Sequence, residues 1–79
     1  LTTVGRVEAR PEDQAREHFR QGVLRADLGA WGLAAEHFRA AYAIRRTPAI
    51  VYNLASALEH TNELATAAGL FRIVARDAN

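Results

Sequence analysis

Three Glu-His dipeptides, Glu17-His18, Glu36-His37 and Glu59-His60, are the residues here whose types suit acid-base or metal chemistry. A carboxylate beside an imidazole can shuttle a proton, and two imidazoles on one face can hold a transition metal. On a helix, however, adjacent side chains point about 100° apart, so the members of each dipeptide do not converge. No two histidines stand at the i, i+4 spacing of a helical metal site, and no glycine-rich phosphate loop follows a strand. The expectation is a chain with no catalytic residue, no cofactor and no metal. His37 falls near the apolar side of its segment and reads as a packed, hydrogen-bonded residue, while Trp31 and Phe38 read as core.

Arginines make the second constellation. Arg16 and Arg20, four apart, could grip a carboxylate in bidentate fashion. The competing reading is a solvated face on which Arg16, Arg20 and Asp27 pair with charges three or four residues away. Further along, Tyr52, Asn53, Ser56, Glu59 and His60 gather on one arc, turned away from Leu54, Ala55 and Leu58. Arg39, Arg45 and Arg46 cluster as a nucleic-acid binder's residues would. All ten basic residues are arginine but nine acids answer them, and a net charge of +1 provides little field for phosphates. No nucleic-acid partner is expected.

The elements that must carry these residues are helices. Residues 1–10 lack sustained periodicity and read as a linker or N-terminal arm, leaving 11–79 as one domain. Pro11 suits the first position of a helix, Glu12 and Asp13 complement its dipole, and Gly29 can close it in the left-handed conformation after about Leu28. Trp31, Ala34, Ala35, Phe38, Ala41 and Tyr42 recur every three or four residues and predict a second helix. Thr47 can cap and Pro48 can open a third, running to about His60. Asn62 can then take the place of Gly29 before a fourth helix begins at Glu63. Such short links force antiparallel neighbours, hence two stacked hairpins in an all-α fold.

Those hairpins repeat. At an offset of 33, Phe19 falls on Tyr52, Gly22 on Ala55, Trp31 on Leu64, Ala34 on Ala67, Phe38 on Phe71 and Ala41 on Val74. A period of this size marks units that bury their apolar faces by stacking on one another. With Gly29 and Asn62 added, the pattern over about residues 15–46 and 48–79 resembles the tetratricopeptide repeat. The link near Arg45 to Pro48 is one residue shorter than in that 34-residue family. His18, Gln21 and Arg25 stand where the family places bulky apolar groups, which makes that face a solvated end of the array.

The resemblance implies a right-handed α-solenoid in which the first helix of each unit lines a concave groove for an extended peptide or partner helix. Carried onto this chain, the groove residues are Arg16, Arg20, Val23, Asp27, Tyr52, Asn53, Ser56, Glu59 and His60, with Asn53 placed to hydrogen-bond a ligand's backbone. The function so implied is a non-enzymatic scaffold for protein or peptide partners. A second reading rests on helix four, whose apolar residues cover more than half its circumference, so that Leu70 and Ile73 are expected to form an edge left for another repeat, another domain or a homodimer partner. About three repeats are usual, so a fragment of a longer array is expected.

Composition limits the rest. No apolar run approaches the roughly 20 residues of a membrane span, and with no cysteine there is neither disulfide nor thiol chemistry. Seventeen alanines beside an all-arginine set suggest a GC-rich bacterial gene. A chain opening on Leu1 is expected to be processed or excised, so a leader would not be seen and the choice between cytoplasm and periplasm stays open.

Overall fold

The structure, a computed structural model, describes residues 10–77, and the expected arm of residues 1–10 lies outside them except for Arg10. Four helices follow one another, α1 (Pro11–Asp27), α2 (Trp31–Ile44), α3 (Pro48–His60) and α4 (Leu64–Asp77), with no strand among the described residues. Each packs on its sequence neighbour, so α1 and α2 form one hairpin, α3 and α4 a second, and α2 joins them by lying on α3.

Local chemistry sets the ends. Pro11 opens α1 with Glu12 and Asp13 in its first turn, and the extended Arg10 offers its carbonyl to the Gln14 N–H at 3.0 Å. Two turns close the hairpins in the same way. Gly29, at φ +77°, donates to the Ala26 carbonyl and Ala30 to that of Arg25, both at 2.9 Å. Asn62, at φ +70°, donates to Glu59 at 3.0 Å and Glu63 to Leu58 at 2.8 Å. Both are Schellman motifs, in which a left-handed residue lets the chain reverse while satisfying the last carbonyls. Between the hairpins, Pro48 restricts Thr47 to extended backbone, and the Thr47 hydroxyl accepts from the Ile50 N–H at 3.2 Å.

The core is built from small residues and a few large ones. Ala34, Ala35, Ala41, Ala55, Ala57 and Ala67 are all buried, which brings helix backbones close, and Phe38 and Leu58 fill the remaining volume. Six residues of α3 are buried, from Ile50 to Leu58, because α2 and α4 cover it on two sides. The aromatic pairs echo the sequence offset: Phe19 meets Phe38 with ring centres 5.7 Å apart, and Tyr52 meets Phe71 at 5.6 Å. Under Phe38 lies Gly22, where a Cβ would come within 2.5 Å of the ring.

The expected apolar edge of α4 is not there. Leu70 is 8% exposed within its own chain, and Ile73 is half-buried against the same core. Leu70 stands three residues after Ala67 and four before Val74, so it belongs to the stripe facing α3 rather than to a second one. Leu64 is the large apolar residue that α4 does expose, at 57%.

Gly22→Ala separates two opposing effects. Alanine gains about 1 kcal/mol of helix propensity, but overpacking against a ring only 1% exposed costs typically 1–3 kcal/mol. The expected outcome is a net loss of about 0–2 kcal/mol in urea denaturation. Asn62→Gly is expected to raise the urea midpoint, since it removes the roughly 1–2 kcal/mol cost of a side chain in left-handed backbone against about 1 kcal/mol of glycine entropy.

Candidate functional site

The stacking of the hairpins brings the first half of α1 near the link into α3 and forms an open cavity of about 240 Å³. Its floor is apolar, made by Ala15 and Phe19 of α1 with Ala49 and Ile50 of α3, and its rim carries Glu12, Arg16, Arg45 and Thr47. Ala15 is buried and Phe19 half-buried, because Phe19 turns part of its ring onto Phe38 and leaves the rest to the cavity. Thr47 spends its hydroxyl oxygen on the Ile50 cap and keeps its O–H as a donor at the rim. Among the described residues Arg45 has no ion-pair partner, so its guanidinium remains available to a ligand. A volume below the roughly 300–1,000 Å³ of small-molecule sites suits one or two side chains of a peptide better than a cofactor.

The expected groove residues divide among several neighbours. Arg16 lines the cavity but also donates to Asp13 Oδ1 at 3.0 Å. Arg20 makes a two-point contact with Glu17, its Nε 3.2 Å from Oε1 and its Nη2 2.8 Å from Oε2, and Gln21 adds a third bond at 3.0 Å. The joint carboxylate grip by Arg16 and Arg20 is therefore not what these arginines form; each is held by an acid three residues earlier. Arg20, then Gln21, hold the Glu17 carboxyl down to about 2. Asp27 is exposed at the end of α1, and Val23 is half-buried against the core rather than lining the cavity.

On α3, Tyr52 leans edge-on to Phe71 of α4. Asn53 donates its amide to the Ala49 carbonyl at 2.8 Å, one turn back in its own helix. One of the two N–H donors of the amide expected to reach a ligand's backbone is thus held within the helix. Ser56 is half-buried, with its carbonyl 2.9 Å from His60 Nδ1, and Glu59 is exposed. His60 lies flat on Trp31 of α2, ring centres 3.7 Å apart at 13°, which fastens one hairpin to the other. The basic cluster also separates: Arg39 bonds Glu63 at 3.0 Å, Arg46 sits over the Tyr42 ring at 4.7 Å, and Arg45 goes to the cavity.

Arg45, Thr47, Ala49, Ile50 and Glu12 were not among the expected groove residues. Arg45 and Thr47 belong to the short link between α2 and α3, which the sequence offset marks as one residue shorter than in the repeat it resembles. No protein-family model, curated protein or solved structure matches the chain. Among the described residues, no helix is long and apolar enough to cross a membrane.

The lowered Glu17 value has a defined sign. The ion pair's contribution is present above the ordinary carboxylate range and is lost as pH falls from that range toward 2. Both side chains are more than half exposed, so solvent screens the pair and its effect on stability is small. Side-chain carbon NMR should place the Glu17 midpoint near 2, returning toward the ordinary range in Arg20→Ala.

Proposed function

We propose that this chain is a non-enzymatic interaction module of the tetratricopeptide type, which holds a peptide or partner segment on the face shared by α1 and α3. The observation that carries this reading is the cavity between them, with its apolar floor and, on its rim, Arg45, which has no ion-pair partner among the described residues. The two aromatic pairs and two left-handed turns recurring at the sequence offset support the repeat character. An apolar side chain of the partner enters between Phe19 and Ile50, and an acidic group or chain carboxylate meets Arg45. Arg16 already shares its charge with Asp13 through one Nη1–H, so Arg45 contributes more. Dimerisation through Leu70 finds no support, since that side chain lies in the core of its own chain.

Ala49→Trp tests the assignment, because Ala49 is exposed and a large ring there fills the cavity without entering the core. Peptides selected from a random library on the wild-type protein are expected to lose more than about tenfold in affinity for Ala49→Trp, equivalent to 1.4 kcal/mol. Arg45→Ala should weaken acidic members of the set and leave neutral ones unchanged. Equal binding by the filled variant would reject the site.

A further inference from the structure

The dipeptide histidines do not converge within a helix, yet two of them converge between helices. His18 of α1 and His37 of α2 face each other with Nδ1 atoms 3.4 Å apart and ring centres 5.6 Å apart. Both residues are half-buried, so the pair is reachable from solvent while its helices are fixed. The fixing comes from the neighbouring turn, where Phe19 and Gly22 of α1 close on Phe38 of α2.

We propose that His18 and His37 are the two protein ligands of a site for a divalent transition metal of borderline softness, with zinc as the probe. Two imidazole nitrogens each about 2.0–2.1 Å from a tetrahedral zinc stand about 3.3–3.4 Å apart. The observed Nδ1 separation matches that edge, while the ring-centre distance shows the two nitrogens aimed almost straight at each other, so each ring turns about its side-chain bonds to aim its lone pair at the ion. Ligation through Nδ1 requires each neutral ring to carry its proton on Nε2, so the ion replaces any hydrogen bond between the two Nδ1 atoms and sits to one side of the line joining them.

The charges around the pair are compatible with a cation. On α1, Glu17 is turned about 100° from His18 and held by Arg20 and Gln21, and Arg25 lies two turns away, about 10 Å along the axis. On α2, Glu36 is exposed beside His37 and adds negative charge without reaching the ion. No group of three or more His, Cys, Asp or Glu side chains gathers among the described residues, so water completes the coordination and the site is an open one. Imidazole nitrogens favour zinc, cobalt, nickel or copper over magnesium or calcium.

Zinc titrated into nitrogen-labelled full chain, followed through the histidine ring signals, tests this directly. The expected result is saturable one-to-one binding that moves His18 and His37 together and leaves His60 in place. Cobalt should give the strong visible bands of tetrahedral coordination. His18→Ala and His37→Ala should each weaken zinc binding by more than about tenfold, while His60→Ala retains it. Binding should fade on acidification, because both rings must be neutral to ligate. If either alanine variant proves unfolded, the wild-type ring shifts and a rise of its urea midpoint with zinc still decide the matter. Zinc shifts centred on His60, no saturable binding, or affinity unchanged in the folded His18→Ala or His37→Ala variant would overturn the proposal.

Discussion

The approach of α1 to α2 at Gly22 is the constraint on which the rest of the molecule depends. A ring as large as Phe38 cannot lie 1% exposed between two helices unless one of them gives up a side chain, and Gly22 does so. Phe19 then closes over the same ring from the next turn, which fixes the rotation of α1. That rotation turns Ala15 and Phe19 toward the link into α3 and His18 toward His37. The second hairpin solves the same problem with Ala55 and a half-buried Phe71, so its packing is looser at the equivalent point. In a chain whose core is largely alanine, such contacts between a small residue and a ring supply most of the specificity of packing.

Much of the fold was legible because its punctuation acts locally. Pro11, Gly29, Thr47 with Pro48, and Asn62 each determine a backbone angle or satisfy an end group within a few residues, and the observed helix ends fall on them. Leu70 was misplaced for a different reason. Apolar residues covering more than half of α4 leave its facing direction undetermined by pattern alone, and tertiary packing chose the stripe of Ala67, Leu70 and Val74. The arginines were readable only as alternatives. Asp13 and Glu17 prevailed because they are already on the same helix one turn away, so pairing with them requires no further ordering of the chain.

What could not be read from spacing is what long-range contact creates. The cavity joins Glu12 to Ile50 across most of a hairpin, and His18 meets His37 across an antiparallel pair. Both become visible once the helices are treated as packed rods and side chains at one level are compared, instead of searching within each helix. The inter-hairpin ties, Trp31 on His60 and Arg39 to Glu63, are also of this kind. They fix the second hairpin relative to the first, and so determine whether the α1 and α3 faces form one surface.

That shared surface as a recognition face is the central claim. The most direct measurement is the set of intermolecular nuclear Overhauser contacts between a selected, saturating peptide and a protein labelled at aromatic and methyl positions. Contacts from the peptide to the Phe19 ring and the Ile50 methyls, together, are the result expected. Contacts confined to Leu28, Leu33 and Leu64, which are exposed outside the cavity, would contradict it.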